Sequence, residues 1–463
     1  MTPTALVLAA GKGTRMRSSL SKVLHPLCGR PLAAWTLQAC QDAGLRTAVV
    51  VGHQAEQVQR VLGPDHGYAI QAEQKGTGHA VQCAQALLAD ASVVVVLPGD
   101  APLITAQTLR DLLAGHGDAL CTLLTFETPE PSRYGRIIRD SNGTVLRIVE
   151  ADGATPEQLS VNEVNAGIYA FDAQWLVTEV LPQLKPSPPK GEIYLTDAIE
   201  AASRAGRLRA VIHQAPEELV GINDKATLAQ AEADLRERIN HAWMMKGVHM
   251  RDPKTTYIDA QVTLGAEVLL EPGVILRGET TIGDRASIGP HVSILDSLVG
   301  PDAHIKAGSV LESAVVGPRA AVGPMAHLRA GSVLGAEVKV GNFVETKKAV
   351  LKDGAKASHL SYLGDCEIGA GANIGAGTIT CNYDGWGKHK TRIGARAFVG
   401  SNASLVAPVS LGADSIVGAG SCITGDVPDG DLAIGRGRQK NLTGRAEGVH
   451  RRNAQAAGKS FDD

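Results

Sequence analysis

A six-residue beat of aliphatic side chains is the feature that most narrows what this chain can fold into. Ile393, Val399, Leu405, Leu411, Val417 and Ile423 follow one another at intervals of six, Val316, Val322, Leu328, Leu334 and Val340 repeat the interval, and Ile282, Ile288 and Ile294 do so again. A helix repeats every ~3.6 residues and a strand every ~2, so neither generates this beat. The hexapeptide repeat of a parallel β-helix does. In that architecture each unit of six supplies a short strand and a turn, and the aliphatic side chain points into a narrow prism. Glycine often follows the aliphatic residue, as at Gly283, Gly289, Gly317, Gly323, Gly394, Gly400, Gly412 and Gly418, where it is expected to relieve the corner. Aromatic residues make up only 3% of the chain, as suits an interior too narrow for rings. The beat lapses twice, between Val340 and Ile368 and between Ile374 and Ile393. Into those gaps fall Glu345, Lys347, His359, Tyr362, Asn382, Tyr383 and Asp384, and places where a sequence breaks its own rule are where function is expected.

The first half has a different grammar. Ala5 to Leu8, Thr47 to Val51 and Ser92 to Leu97 are nearly continuous aliphatic runs, as strands covered on both faces must be. Between them Pro31 to Ala43 and His79 to Ala89 read as helices, which predicts an α/β unit of Rossmann type built on a parallel sheet. A stripe of Leu228, Leu235, Ile239 and Trp243, closed by Gly247, predicts one amphipathic connector helix. The expected division is therefore 1–225, a connector at 226–247, a β-helix at 248–435 and a tail at 436–463.

The balance of charge excludes some functions. With 45 basic and 48 acidic residues the formal net charge is only -3, so no global field points to nucleic acid or a membrane. No apolar run approaches the length of a membrane span; the best, Ala91 to Leu97, is far too short. Seven scattered cysteines without a C-x-x-C pair read as reduced thiols, signalling neither zinc nor a disulfide framework, and a cytoplasmic location is expected. The tail from Arg436 is basic, with seven Arg or Lys against three acids, and reads as mostly solvated.

Two segments carry chemistry. LAAGKGTRM, Leu8 to Met16, follows the first predicted strand. Gly11 and Gly13 let its backbone turn tightly toward a phosphate, and Lys12, Arg15 and Lys22 add cations where a triphosphate would lie. No Gly-Lys-Ser/Thr of a P-loop and no G-x-G-x-x-G fingerprint is present, which argues against ATPase and dehydrogenase readings. Asp100, in PGDAPL, is placed just past a buried strand, at the sheet edge where open α/β folds bind ligands. In the second half, His359 in KASHLSYLGD lies inside a lapse of the beat and is followed by GANIGAGTITCNYDG, and histidine is the natural base near neutrality.

The glycine loop with PGDAPL resembles the sugar-phosphate nucleotidyltransferases. The His359 block closely resembles the acetyltransferase domain of the bifunctional N-acetylglucosamine-1-phosphate uridyltransferase and glucosamine-1-phosphate N-acetyltransferase family. That resemblance extends over nearly the whole chain and implies a left-handed parallel β-helix behind the α/β domain. It implies acetyl transfer from acetyl-CoA to glucosamine-1-phosphate, then uridylyl transfer from UTP to the product, with pyrophosphate released. By resemblance, Asp100 and Asn223 of GINDKATLA hold Mg²⁺, and Arg15 and Lys22 act on the phosphates. Leu8, Gly11, Gly13, Lys22, Gln74, Gly76, Thr77, Gly135, Glu150, Asn165 and Asn223 bind nucleotide and sugar. Where that family commonly has tyrosine before Gly99-Asp100, this chain has Pro98. In the second half the resemblance makes His359 the base. It gives glucosamine-1-phosphate to Arg329, Lys347, Tyr362 and Asn373, and acetyl-CoA to Ala376, Asn382, Tyr383, Ser401, Ala419 and Arg436. Related hexapeptide acyltransferases are trimers, so a homotrimer is implied, with small-molecule partners. Two other readings are weighed: a single-activity nucleotidyltransferase with a regulatory β-helix, opposed by His359 and NYDG, and a non-catalytic assembly subunit, opposed by the set Arg15, Lys22, Asp100 and Asn223.

Overall fold

The computed structural model describes residues 2–131, 134–186 and 191–461. It divides into two compact units: one runs to Ala242 and takes in Tyr257–Gln261, and the other comprises Trp243–Thr256 and the chain from Val262 onward.

In the first unit the chain runs β1 (Thr2–Ala9), α1 (Leu32–Asp42), β2 (Arg46–Val51), α2 (Ala55–Leu62), β3 (Gly67–Ile70), α3 (Thr77–Cys83) and β4 (Ala91–Pro98). It continues through α4 (Ala106–His116), β5 (Cys121–Glu127), β6 (Arg136–Arg139), β7 (Val145–Val149), β8 (Glu163–Asp172), α5 (Thr196–Arg204), β9 (Leu208–Ile212) and α6 (Lys225–Met245). The sheet order is β9-β5-β8-β4-β1-β2-β3, with β6 and β7 as a hairpin off β8. Alternate residues of the central strands feed two cores: Leu6, Val94 and Val96 one side, Ala5, Val7, Val95 and Leu97 the other. That is why these runs are aliphatic throughout.

Two expectations are corrected. The sheet is mixed, because β8 runs antiparallel to both β4 and β5. A hairpin and two short helical turns, in place of a crossover helix, separate β5 from β8, and without a crossover a neighbouring strand returns antiparallel. The helix expected over His79 to Ala89 is broken at Ala84, which is fully buried and leaves helical geometry at φ -94° and ψ 1°. The helix α6 also packs on the first unit. Ala231 and Leu235 are buried with Met16, Leu27, Leu32, Leu103 and Ile222, and Leu228 and Ile239 pack beside them, so most of the helix is built into the first unit.

The second unit is a coil of short parallel strands stacked in three columns. In the first column Ser287, His304, Ala321, Lys339, Lys356, Asn373 and Phe398 stand in register. The second carries Ser293, Val310, His327, Glu345 and Tyr362, and the third Thr281, Leu298, Val315 and Val333. The next residue in each strand, such as Ile288, Ile294 or Ile282, points inward and is almost completely buried. Each such side chain contributes about 1.5–3 kcal/mol of burial.

This geometry explains both lapses of the beat. Across the first the prism is unbroken. Thr346 takes an aliphatic position, satisfied by the Ser332 hydroxyl at 2.8 Å, and Leu351 and Ile368 each arrive one residue early at the same corner. The second lapse is a true insertion: the strand Ile379–Cys381 and the strand Thr391–Ile393 are separated by a loop that lengthens one coil.

The glycines after the aliphatic residues also act differently from expectation. A Cβ on Gly317, Gly394 or Gly400 would lie 2.4–2.5 Å from backbone atoms of the next coil, so these glycines permit close stacking of coils and do not adopt positive φ. The corner itself turns two residues later, at left-handed Arg285, Asp302, Arg319 and Glu337, with φ of 56–60°. That conformation costs about 1–2 kcal/mol. It is offset because each of these N–H groups donates to the preceding coil, Arg285 to Ala266 O at 2.8 Å and Asp302 to Asp284 O at 2.9 Å.

Gly317→Ala should therefore destabilise the second unit by about 3 kcal/mol, the upper range for overpacking. Gly425→Ala, which meets nothing within 4 Å, should change stability by less than about 0.5 kcal/mol. Thermal unfolding that finds the two variants equal would refute the close-stacking role.

Candidate active sites

Where β1 ends, the chain turns through Gly11 into Gly13, which is left-handed at φ 58°. A Cβ on Gly13 would fall 2.6 Å from Lys22 Cβ, so this glycine lets Lys22 lie against the loop. The Lys22 ammonium pairs with the Asp100 carboxylate, and both side chains are largely buried. Asp100 is held just beyond β4, where the Gly99 N–H donates to Leu8 O at 2.9 Å and the Ile222 N–H to Asp100 O at 2.8 Å. Arg15 Nη2 donates to Asn223 Oδ1 at 2.7 Å, and Asn223 Nδ2 donates to Gly221 O at 3.2 Å. Asn223 is thus not the cap of α6; Asp224 is, accepting from the Thr227 N–H at 2.8 Å. Gly221 leaves room at the metal-candidate carboxylate, since its Cβ would sit 3.4 Å from Asp100 Oδ1. Arg15, Lys22, Asp100 and Asn223, read from three distant segments, come together.

Two clefts flank this cluster. One, of about 660 Å³, is lined by Thr14, Arg15, Tyr134, Gly221, Asn223 and Asp224. The other, of about 290 Å³, gathers Leu8, Gly11, Gln74, Gly76 and Thr77 with Gln71, Glu192 and Tyr194. Gly76 is at φ 104°, and its Cβ would be 2.4 Å from Ile193 O, so only glycine lets that segment close on the backbone at Ile193. Gly135, Glu150 and Asn165 form a third group. The Asn165 N–H donates to Gly135 O at 2.9 Å, and a Cβ on Gly135 would be 3.7 Å from both Asn165 Cβ and Glu150 Cδ. Desolvation, and then Asp152, pushes the Glu150 carboxyl above its ordinary range. Sequence reading missed Tyr134, Gln71, Glu192 and Tyr194. Tyr134 adjoins Gly135 in RYGRI, whose Arg133 lies outside the described residues, and its ring meets Phe126 edge-on at 5.3 Å. Tyr194 stands outside every motif, so no local signal marked it.

In the second unit Arg329 Nη1 donates to Glu345 Oε1 at 2.8 Å, and that hydrogen bond raises the guanidinium pKa further. Glu345 is in register with Tyr362 and Lys347 with Gly364. A Cβ on Gly364 would lie 2.5 Å from Tyr362 Oη and 2.6 Å from Asn382 Nδ2, so glycine makes the space in which these side chains meet. Arg329, Lys347, Tyr362 and Asn382 therefore share the second column. Asn373 stands on the first column, around the corner from them.

That corner holds His359. It ends the strand Lys356–His359, exposed, before left-handed Leu360 at φ 43°. The coils above place Ala376, Ser401 and Ala419 at the same corner in turn, tied by Gly377 N–H to Leu360 O at 2.9 Å, Asn402 N–H to Ala376 O at 2.7 Å and Gly420 N–H to Ser401 O at 2.8 Å. Arg436 comes next: a Cβ on Gly420 would be 3.9 Å from its Cδ. Five residues named separately from the sequence thus form one edge of the prism. Tyr383 projects from the inserted loop, and the tail beyond Arg436 includes an exposed helix, Arg445–Ala456, with no buried residue.

Known proteins match both units of the chain. The MobA-like NTP transferase domain matches residues 5–218, the GMPPB C-terminal domain residues 254–353, and the hexapeptide repeat of succinyl-transferase residues 390–425. The bifunctional protein GlmU of Trichlorobacter lovleyi is 50% identical over 448 residues, covering 95% of this chain and 97% of the relative. That of Pelobacter propionicus is 51% identical over 447 residues, with the same coverage. That of Geobacter sulfurreducens is 46% identical over 465 residues, again covering 95% and 97%. With both halves matched at such identity, the chain belongs to the family of bifunctional GlmU proteins.

Proposed function

We propose that the β-helix transfers acetyl from acetyl-CoA to glucosamine-1-phosphate and that the α/β unit joins the product to the uridylyl group of UTP, releasing pyrophosphate and forming UDP-N-acetylglucosamine. The observation that carries this is that each unit of this family member presents its own cluster: Lys22–Asp100 with Arg15–Asn223 in one, and the edge led by His359 in the other.

In the α/β unit the phosphate oxygen of the sugar attacks the α-phosphorus of UTP. Charge moves onto the leaving pyrophosphate, and positioning with cations does most of the catalysis. Lys22 and Arg15 supply those cations, phosphate oxygens competing for them with Asp100 and Asn223. The N–H groups of the Gly11–Gly13 turn face the same anion. The cleft of Gln74, Gly76 and Thr77 takes the uracil, and Gly135, Glu150 and Asn165 take the sugar. Mg²⁺ fits the donor set. Among the described residues no three His, Cys, Asp or Glu side chains converge on a metal position, but one carboxylate and one amide oxygen suit a hard ion that draws its other ligands from phosphates and water. Held by Asp100 and Asn223, that ion would neutralise phosphate charge.

In the β-helix the amine of glucosamine-1-phosphate attacks the thioester carbonyl. His359 takes the amine proton, and the coenzyme leaves as its thiol. Arg329 and Lys347 clamp the phosphate, with Tyr362 and Asn373 completing that contact. Acetyl-CoA lies along the edge of Ala376, Ser401, Ala419 and Arg436, with Asn382 and Tyr383 at its side. At about 4.8 Å per coil, Ala376 is one spacing and Ser401 two spacings from His359.

Assembly as a homotrimer is part of the proposal. Leu298, Val315 and Val333 form an exposed aliphatic stripe, 47%, 41% and 38% accessible, on one column of the prism. Asn373 lies around a corner from the rest of its site, which a neighbouring copy could complete. All seven cysteines are free thiols, in keeping with a reducing, cytoplasmic setting, and no described helix is long and apolar enough to cross a membrane.

Asp100→Asn and Asn223→Ala should each lower uridylyl transfer roughly 10²- to 10³-fold, the usual worth of lost transition-state charge stabilisation. Acetyl transfer should be spared, and a coupled pyrophosphate assay with near-normal rates would reject the metal assignment. His359→Ala should lower acetyl transfer by roughly 10²- to 10⁴-fold while uridylyl transfer to supplied N-acetylglucosamine-1-phosphate persists. Unchanged acetylation would reduce His359 to a structural corner residue. Light scattering should return three times the 48.2 kDa chain mass; a monomer active in acetyl transfer would overturn the trimer.

A further inference from the structure

The inserted loop after Cys381 is organised around one carboxylate. Asp384 Oδ1 accepts from the Trp386 N–H at 2.8 Å and the Gly387 N–H at 2.7 Å, and its Oδ2 meets His389 Nε2 at 2.6 Å. The Gly387 N–H, then His389 and the Trp386 N–H, hold this carboxyl well below the ordinary range. The His389 N–H donates back to Asn382 O at 2.9 Å, and Tyr383 and Lys388 face each other as an antiparallel bridge. Lys388 Nζ lies 4.2 Å from the centre of the Tyr383 ring, and the Tyr383 hydroxyl donates to Gly385 O at 2.5 Å. Below the loop, buried Asn382 donates to Asp365 Oδ2 at 2.5 Å. The loop has almost no apolar packing of its own: Trp386, its largest side chain, is 97% exposed. Its shape therefore depends on polar bonds, of which those to Asp384 are the most numerous.

We propose that Asp384 and His389 are positioning residues for acetyl transfer, closing the loop so that Asn382 and Tyr383 are presented to the acetyl donor in one fixed arrangement. This rests on the reading of Asn382 and Tyr383 as donor contacts. Neither Asp384 nor His389 touches the reacting atoms. The role belongs to hydrogen bonds, one acceptor serving three donors, and an N–H from any side chain of similar reach can replace that of the imidazole. A loop so held costs little entropy when the donor binds; a loop released must be ordered at the donor's expense, which weakens binding more than it slows the chemistry.

Steady-state acetyl transfer by the full chain tests this with His389→Ala, His389→Gln, Asp384→Ala and Tyr383→Ala. His389→Ala and Asp384→Ala should raise KM for acetyl-CoA by about tenfold, the equivalent of one charge-assisted hydrogen bond. They should leave kcat and KM for glucosamine-1-phosphate within about twofold, a change too small to be the loss of such a bond. His389→Gln should restore KM for acetyl-CoA. Amide hydrogen exchange at Trp386 and Gly387 should quicken in Asp384→Ala, with uridylyl transfer unchanged as a check on folding. If Tyr383→Ala raises KM for acetyl-CoA but His389→Ala does not, the positioning role is overturned while the donor contact stands. If Tyr383→Ala leaves that KM unchanged, the donor reading fails and the proposal with it. Loss of kcat without a KM effect in His389→Ala would overturn it as well.

Discussion

Backbone stacking of one coil on the next, at about 4.8 Å, is the constraint on which the second unit depends. Each corner must donate its N–H to the coil before it, so the chain is forced into left-handed geometry at residues such as Arg285 and Asp302. The backbones approach so closely just before those corners that a side chain there would meet main-chain atoms. Register follows from this: once coils stack, residues a coil apart in sequence share an edge. His359, Ala376, Ser401 and Ala419 are collinear for that reason alone, and no side-chain interaction is needed to align them.

Half-buried Ala376 and exposed Ser401 and Ala419 make this edge a row of small residues that leads to Arg436. The adjoining column has the opposite character. Arg329, Glu345, Lys347 and Tyr362 crowd the second column, and Gly364 provides the space where Tyr362 and Asn382 converge. An open edge and a polar face thus adjoin at one corner of the prism.

The α/β unit solves a different problem. Its functional charges sit at the carboxyl ends of β1 and β4 and before α6, where opposite signs are brought together in partly buried surroundings. Asp100 and Asn223 are kept satisfied by Lys22 and Arg15. Such pairing is the low-cost way to hold a half-buried carboxylate, since an unpaired one would bear the full desolvation penalty. The same pairs hold both cations in place.

Much of this was legible in the residues. The six-residue beat determined the β-helix because small aliphatic side chains fill nearly all the inner positions, and continuous aliphatic runs determined a sheet covered on both faces. LAAGKGTRM, PGDAPL and KASHLSYLGD carried the site because their residue types depart from what packing requires. Tertiary structure alone decided that β8 runs antiparallel, that α6 belongs to the first unit, and that the first lapse of the beat is a shortened corner while the second is a loop. It also decided that Tyr134 and Tyr194 line clefts and that Asn373 stands around a corner from Tyr362. Local sequence records which side chains must avoid water, but strand direction, corner length and the neighbours of a given side chain depend on contacts between residues far apart in the chain, and no local period encodes them.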